Sequence, residues 1–279
     1  MIVHSLADLA RARGALPGTV GFVPTMGALH DGHRELIRRA REAADHVVVS
    51  VFVNPLQFGE QADLERYPRT LEADAAICAA EGVAVVFAPS VEDVYPRPLE
   101  VSVSTGRMGR VVEGAARPGH FDGMATVVAK LFGMVRPDSA FFGQKDAQQL
   151  AVIRRLAEDL NLGVEIVAVP TVREPDGLAL SSRNRFLAEA ERRTALALSR
   201  ALFAGRDAVP AGVAAVLAAA QPVLDEASKA DPPLRQDYLV LADPATFDPV
   251  EPGHRGPAVL AVAARVGATR LIDNLPLEF

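Results

Sequence analysis

The stretch TVGFVPTMGALHDGHRELIRRAREAADHVVVSVFV (19–53) decides the fold. It opens with the apolar run 19–25, continues with a charged segment of helical spacing at 34–45, and closes with the apolar run 46–53. Both apolar runs are continuous rather than alternating, as in strands that are buried on both faces of a parallel sheet. The stretch therefore predicts a strand, a helix and a second, parallel strand.

The same alternation continues to about residue 170. Further helical patterns lie at 71–82, 123–135 and 148–161. They alternate with strand-like runs at 83–89, 139–143 and 164–171, which brings the predicted strands of this part to five. Repeated strand–helix–strand units are typical of an α/β domain with a doubly wound parallel sheet. Because ligands of such sheets bind beyond the carboxyl ends of the strands, functional residues are expected directly after them.

The character of the chain changes after about residue 185. Two alanine-rich helical patterns come first and three strand-like runs follow, at 188–205, 211–229, 237–243, 258–266 and 269–275. The last two runs are separated by Gly267-Ala268, which predicts a hairpin. We therefore expect a Rossmann-like domain with a doubly wound parallel sheet over 1–177, and a smaller C-terminal α+β domain over 178–279.

The composition excludes several classes of protein. The chain has 279 residues, of which 49% are hydrophobic and 23% charged, as in a globular protein. Its 29 Lys and Arg against 35 Asp and Glu give a net charge of −6, so a nucleic acid partner is not expected. No apolar run approaches the roughly 20 residues that span a bilayer, so no membrane partner is expected either. An anionic ligand must instead be met by a local cluster of positive charge.

Cys78 is the only cysteine, which excludes a disulfide framework and a cysteine-rich zinc site. It lies in the helix-like stretch DAAICAAEG (74–82), where a small buried residue is favoured over a nucleophile. The N-terminal segment 1–14 mixes charges at helical spacing, which argues against a signal peptide. These features together favour a cytoplasmic location.

The first candidate site is PTMGALHDGH (24–33), where the first strand ends and the first helix begins. His30 and His33 are three residues apart and are expected on one face of a helical turn. Gly27 and Gly32 permit close backbone approach, and a helix start binds anions through its N–H groups and its dipole. Structural histidines and a pair of zinc ligands are the alternatives. No carboxylate completes an HExxH pattern, so phosphate binding is favoured.

A second candidate site, FVNPLQF (52–58), follows the next strand. Asn54 and Gln57 are uncharged hydrogen-bonding groups beside apolar side chains, which suits a small, polar, partly aliphatic substrate. An Asn-Pro pair after a strand is also usual in an ordinary turn.

A third candidate site, FFGQKDAQQL (141–150), runs from a strand into a helix. Gly143 allows close approach, Lys145 supplies a point charge, and Asp146 can accept from ribose hydroxyls or orient the lysine. A helix start with a capping aspartate is the alternative interpretation.

The segment LALSSRNRF (178–186) follows the last strand of the first domain. Ser181, Ser182 and Arg183 present two hydroxyls and a guanidinium in consecutive positions, which is enough to grip a triphosphate. Such a triplet is common by chance on protein surfaces, so only its position after the last strand of the first domain favours a role in phosphate binding.

The HDGH sequence resembles the HxGH motif of a nucleotidyl-transferring superfamily, and PTMGALHDGH resembles the pantoate–β-alanine ligase (pantothenate synthetase) family. The segments FVNPLQF, YPRTLEAD (67–74), RPGHFDGMATVV (117–128), FFGQKDAQQL and LALSSRNRF resemble the family's in the same order. The resemblance covers about residues 20 to 190, whereas the last 90 or so match only in general character. Ala147 departs from the aromatic residue common in the family, and Leu180 replaces its usual methionine.

The resemblance implies a ligase that condenses (R)-pantoate with β-alanine at the expense of ATP, through pantoyl adenylate, giving pantothenate, AMP and pyrophosphate. It implies Mg²⁺, a homodimer, and three catalytic residues: His30, His33 (proton donor or charge stabiliser) and Lys145. The implied ATP site comprises Pro24, Thr25, Met26, Gly27, Ala28, Leu29, His30, Asp31, Gly32, His33, Gly143, Gln144, Lys145, Asp146, Val172, Leu180, Ser181, Ser182 and Arg183. The implied pantoate and β-alanine site comprises Asn54, Gln57, Arg117 and Gln149.

Two of these assignments have alternatives of their own. The resemblance implies that Asp74 is a Mg²⁺ ligand, and the alternative is a carboxylate on a solvated helix face. The resemblance implies that Arg117 lies near the pantoate carboxylate or the phosphates, and the alternative is a surface arginine without a role. The loop 178–186 is expected to close over the adenylate and keep water from it.

Two other functions compete with the ligase. One is a nucleotidyltransferase that keeps the nucleotide in its product. The other is a nucleotide-sensing module without turnover.

Overall fold

The computed structural model of the chain describes residues 1–59 and 61–279, and only the backbone at 61–63. The helices are α1 (Leu6–Gly14), α2 (Asp31–Ala43), α3 (Gln61–Arg66), α4 (Leu71–Ala80), α5 (Val91–Val94), α6 (Glu113–Ala116), α7 (His120–Val135), α8 (Ala147–Asp159), α9 (Glu189–Asp207) and α10 (Val213–Ala227). The strands are β1 (Ile2–Val3), β2 (Val20–Thr25), β3 (His46–Val51), β4 (Val85–Phe87), β5 (Ser139–Gly143), β6 (Glu165–Val169), β7 (Leu234–Ala242), β8 (Pro257–Val266) and β9 (Thr269–Glu278). None of the helices in the described ranges is long and apolar enough to cross a bilayer.

The chain divides into two compact units, of which the first comprises 1–110, 117–143 and 152–169. Its six strands form one parallel sheet in the order β1-β4-β3-β2-β5-β6. The five strands that the sequence predicts here are all present. Strand β1 is missed because two residues are too short to show a periodicity, and the charges that follow it belong to α1.

The core of the first unit explains why α2 forms where it does. Its apolar residues Leu36, Ile37 and Ala40 recur at helical spacing, are buried, and belong to the same cluster as Val47 of β3. Cys78 lies in this cluster, fully buried, and burial raises the pKa of its thiol to about 11. The prediction that Cys78 is buried is confirmed.

The second unit comprises 111–116, 144–151 and 170–279. Its strands form an antiparallel sheet in the order β7-β8-β9, and α9 and α10 supply apolar side chains to the same core. The predicted β8–β9 hairpin is confirmed, with Gly267 at φ 56° in its turn. The segment 111–116 is held here because the buried carboxylate of Glu113 accepts from both Nη atoms of Arg270 at 2.7 and 2.9 Å.

The predicted fold class is confirmed: a Rossmann-like α/β sheet and a smaller antiparallel sheet with helices. The division expected after residue 177 stays a prediction. The last segment of the first compact unit ends at Val169, and the second unit also includes 111–116 and 144–151.

Candidate active site

The loop between β2 and α2 is held by Asp74, the buried acidic residue of α4. Its Oδ2 accepts from the backbone N–H of Ala28 at 3.0 Å, and its Oδ1 accepts from that of Leu29 at 2.8 Å. The hydroxyl of Thr70 also donates to both oxygens, at 3.2 and 3.3 Å. Asp74 is only 1% exposed, so the alternative of a solvated carboxylate is wrong.

Gly27 is required in this loop for two reasons. Its φ of 83° lies in the left-handed region, which costs side-chain-bearing residues free energy. A Cβ at this position would lie 2.9 Å from Oδ2 of Asp74 and 3.0 Å from Cγ1 of Val51. The close approach expected of this glycine is therefore an approach to α4 and β3.

The backbone amides of the loop have acceptors inside the first unit, contrary to the expectation that they face a ligand. The amide of Gly27 donates to Oγ1 of Thr25 at 3.1 Å, and the next two donate to Asp74. The amides of His30 and Gly32 donate to imidazole nitrogens. The expectation of free N–H groups is therefore wrong for these five amides.

His30 and His33 form a capping box at the start of α2. His30 has extended backbone and is the N-cap, whereas the sequence predicted that it would lie on a helical turn. Its Nδ1 accepts from the amide of Gly32 at 3.1 Å, and Nδ1 of His33 accepts from the amide of His30 at 3.3 Å. The ring centroids are 4.1 Å apart.

This capping box determines the tautomer of both rings. Because each Nδ1 of His30 and His33 accepts a backbone N–H, it carries no proton, and the neutral ring has its N–H at Nε2. Two Nε2 donors therefore belong to neighbouring rings at a helix N-terminus, where the helix dipole favours negative charge. Such a pair can donate hydrogen bonds to an anion.

A cavity of about 360 Å³ opens next to this loop, within the first unit. Its lining runs from Met26 and Gly27 through the ends of β3 and β4 to the start of α4, where Asp74 lies. Its size falls within the range of small-molecule sites. The cavity thus lies at the carboxyl edge of the sheet, as the sheet type predicts.

Asn54 is a structural residue of the turn after β3. It is 1% exposed, and its carboxamide donates to Oε1 of Gln57 and to the carbonyl of Gly123, both at 3.1 Å. Its Oδ1 accepts from the amide of Leu56 at 3.3 Å and from the hydroxyl of Tyr95 at 2.8 Å. Asn54 therefore belongs to an ordinary turn after the strand, the alternative interpretation of the Asn-Pro pair, and its side chain holds that of Gln57.

Gln57 is brought together with Arg117 by His120, a residue that the sequence reasoning did not select. Nδ1 of His120 donates to the carbonyl of Gln57 at 2.9 Å, so its Nε2 can accept from Nη1 of Arg117 at 3.1 Å. Arg117 also donates to the same carbonyl at 3.3 Å. Arg117 is therefore held in place rather than loose on the surface. The signal for His120 was its position in RPGHF, within the segment that resembles the family.

The side chains that the structure describes do not form a resident Mg²⁺ site. The oxygens of Asp74, the predicted ligand, accept from two amides and a hydroxyl. Among the residues that the structure describes, no three His, Cys, Asp or Glu side chains are grouped so that they could hold a metal ion. The described residues therefore do not fit a Mg²⁺ ion held by the protein alone.

Lys145, the predicted catalytic lysine, lies in a short turn between β5 and α8 (Gln144–Asp146), in the second unit. Its Nζ lies 4.0 Å from Oδ2 of Asp146, and its side chain is 17% exposed. The turn is bound to β9, because Nδ2 of Asn274 donates to the carbonyls of Gln144 at 2.9 Å and Lys145 at 2.8 Å.

The segment Ser181–Arg183 lies in the same unit, and its residues Ser181 and Arg183 line one small cleft together with Lys145. Oγ of Ser181 caps the turn that follows by accepting from the amide of Arg183 at 3.2 Å. The segment follows a hairpin in which the amide of Leu180 donates to the carbonyl of Val172 at 2.9 Å. The lysine and the serine–arginine segment, 36 residues or more apart in sequence, are thus brought together.

The other predicted residues lie as follows. Pro24 and Thr25 end β2, Gly143 ends β5, and Asp31 is exposed at the start of α2. Gln149 lies in the first turn of α8, in the second unit, whereas Asn54, Gln57 and Arg117 lie in the first.

A sequence model described as pantoate-beta-alanine ligase matches residues 1–276. The chain belongs to the pantoate-beta-alanine ligase family. The pantothenate synthetase of Thermobifida fusca (strain YX) is 61% identical over 282 residues, covering 99% of this chain and 95% of that protein. The one from Acidothermus cellulolyticus is 54% identical over 283 residues, covering 100% and 92%.

Solved structures of the pantoate-beta-alanine ligase family share the fold. The pantothenate synthetase of Thermus thermophilus has a TM-score of 0.91 at 49% identity, over 98% of each chain. The ligase of Francisella tularensis, complexed with beta-gamma ATP and beta-alanine, has a TM-score of 0.80 at 32% identity, over 99% of this chain and 97% of that one. The likeness includes the last 90 or so residues, where the sequence motifs alone matched only in general character.

Proposed function

We propose that this chain joins pantoate to β-alanine in two steps. A carboxylate oxygen of pantoate attacks the α-phosphorus of ATP, the bond from that phosphorus to the bridging oxygen breaks, and pyrophosphate leaves. The amine nitrogen of β-alanine then attacks the acyl carbon of pantoyl adenylate and loses a proton, and AMP leaves as pantothenate forms. Membership of a ligase family over almost the full chain supports this reaction.

The observation that carries the proposal is the capping box of His30 and His33. In the first step negative charge builds on the α-phosphate and on the leaving pyrophosphate, and preorganised donors at those oxygens lower the barrier. The capping hydrogen bonds fix both rings with Nε2 as the N–H donor. We assign His33 to charge stabilisation or proton donation at the phosphates, and His30 to phosphate binding.

The second unit supplies further groups for the triphosphate. Lys145, Ser181 and Arg183 line one cleft, and their ammonium, hydroxyl and guanidinium groups are suited to phosphate oxygens. Ser182 directly precedes the guanidinium in sequence. The segment 178–186 closes over the adenylate in this proposal and protects it from hydrolysis.

Pantoate is assigned to the neutral amides and to one arginine. Gln57, whose Nε2 contacts Sδ of Met26 at 3.1 Å, lies beside a residue that lines the 360 Å³ cavity. Neutral carboxamides at Gln57 and Gln149 orient the substrate without a charge that competes for its carboxylate. Arg117 provides the counter-charge, and Asn54 acts on Gln57 through a hydrogen bond.

A homodimer and a cytoplasmic location complete the proposal. The homodimer rests on the family resemblance. The cytoplasmic location rests on the sequence features described above, and the buried, unpaired Cys78 is consistent with a reducing compartment. Light scattering tests the first: a homodimer has twice the chain mass of 29.6 kDa.

The experiment is pantoate-dependent exchange of labelled pyrophosphate into ATP, followed by product analysis with β-alanine. We expect exchange that requires pantoate, and release of AMP that requires the amine. A stable nucleotide conjugate would instead identify a nucleotidyltransferase, and nucleotide binding without exchange would identify a sensing module.

The variants His33→Ala and Lys145→Ala test the site itself. Loss of one preorganised donor lowers the exchange rate by roughly 10²-fold. His254→Ala is the matched control, because that histidine lies outside the candidate site, with its ring against the carbonyl of Pro257 and the ring of Phe279. Exchange near the unmodified rate in both site variants would show that the site is misassigned.

A further inference from the structure

Strand β9 is attached to the turn that carries Lys145. The carboxamide of Asn274 is buried, with 4% of the residue exposed, and donates both of its N–H groups to carbonyls. These carbonyls, at 2.9 and 2.8 Å, belong to Gln144 and Lys145, the first two residues of the turn. The backbone of the turn that carries Lys145 is therefore held by a side chain 129 residues away in sequence.

The preceding residue of β9 is attached to the hairpin that leads into Ser181–Arg183. Arg173 donates to both oxygens of Asp273, at 2.6 and 2.9 Å, and Asp273 is 3% exposed. The same guanidinium donates to the carbonyl of Gly177 at 3.1 Å and to that of Asn274 at 3.2 Å. Asp273 in turn accepts from the amide of Asn274 at 2.8 Å.

Two consecutive residues of one strand thus hold the two segments that line the cleft. Arg173 pairs with Ala179 in an isolated antiparallel bridge, two residues before Ser181. Asn274 holds the lysine turn directly. Since a misplacement of about 1 Å at a reacting centre can cost roughly 10² in rate, this attachment matters for catalysis.

We propose that Asn274 is a positioning residue for adenylation, which acts through Lys145, and that Asp273 and Arg173 hold the serine–arginine segment in register with it. The inference rests on the role proposed above for Lys145. Asn274 meets the turn through backbone carbonyls only, so it directs the lysine without contacting ATP. A carboxylate at this position would repel both carbonyls, which accounts for an amide here.

A double-mutant cycle tests the proposal, with pantoate-dependent pyrophosphate exchange as the assay. Asn274→Ala lowers kcat by about tenfold while Lys145 is present, because the turn loses both hydrogen bonds. In the Lys145→Ala background the same substitution changes kcat less than about twofold, since it then has nothing left to position. Asn274→Ser, which keeps one hydroxyl donor, goes through the same cycle with a smaller effect and serves if the alanine variant does not fold.

Thr194→Val is the matched control for stability. It removes a buried hydrogen bond of the same unit, from Oγ1 of Thr194 to the carbonyl of Pro232 at 3.0 Å, at a residue outside the cleft. Thr194→Val is expected to keep the exchange rate while its thermal midpoint falls.

Three outcomes overturn the proposal. Equal losses from Asn274→Ala in both backgrounds would show that Asn274 acts independently of Lys145. A loss in Thr194→Val equal to that in Asn274→Ala would show that stability alone sets the rate. Unchanged exchange in Lys145→Ala alone would refute the assignment of Lys145, and with it the positioning role, whereas the other two outcomes leave the proposed function intact.

Discussion

Replacing Asp74 with asparagine tests whether this carboxylate holds the β2–α2 loop or binds a metal. Asparagine has the same shape but only one oxygen, so the amide of either Ala28 or Leu29 must face an NH₂ group. Asp74 is only 1% exposed, so the amide that faces the NH₂ group loses its acceptor in a buried environment. Loss of a charge-assisted hydrogen bond together with an unsatisfied donor costs about 2–4 kcal/mol.

The free energy of unfolding of both proteins is measured in urea, with EDTA present and then with Mg²⁺. We expect Asp74→Asn to be about 2–4 kcal/mol less stable in both solutions, and to exchange pyrophosphate more slowly because the loop carries His30. Glu72→Gln, at an exposed position in the first turn of the same helix, is the control and changes little. A difference below about 0.5 kcal/mol in EDTA, or one that needs Mg²⁺, would refute the structural role.

Three further predictions concern residues whose surroundings are tightly defined. Gly123→Ala destabilises the protein by about 2 kcal/mol or more, because the added Cβ would lie 2.1 Å from the carbonyl oxygen of Leu56. Gly133→Ala, in the same helix, is the control: its Cβ meets no atom within 4 Å, so the substitution stabilises by roughly 0.5 kcal/mol. Equal unfolding midpoints for the two would contradict this packing. Gly27→Ala costs about 1–3 kcal/mol at its φ of 83°, measured in the same way, and a neutral result would refute the close approach to α4. Cys78, with its pKa raised to about 11, forms less thiolate at pH 8 than an exposed cysteine. A disulfide reagent is therefore expected to label it at least about a hundredfold faster in guanidinium, where the chain is unfolded, than in buffer. Fast labelling of the folded protein would argue against its burial.

The strands of the parallel sheet could be predicted because burial on both faces leaves continuous apolar runs in the sequence. The carboxyl-end positions of the candidate residues followed from the sheet type alone. The capping box was only half visible: a spacing of three between His30 and His33 fits both a helical face and an N-cap with N3. The extended backbone of His30 decides for the cap.

Contacts between distant segments could not be predicted from local patterns. Asp74 meets amides 45 and 46 residues earlier in the chain, and nothing around it in sequence names those partners. Asn54 has the polar composition of a binding residue, yet its four hydrogen bonds are all internal. The buried role of His120 likewise depends on the carbonyl of Gln57, 63 residues away.

The occupied amides of the β2–α2 loop have a consequence for how this site changes in evolution. A phosphate cradle made of main-chain N–H groups survives almost any side-chain replacement, because every residue except proline supplies the same donor. Here the amides from Gly27 to His30 already have internal acceptors. A hydrogen bond from a side chain of this loop to an anion is therefore open to loss through a single substitution, which would leave these amides with their internal acceptors.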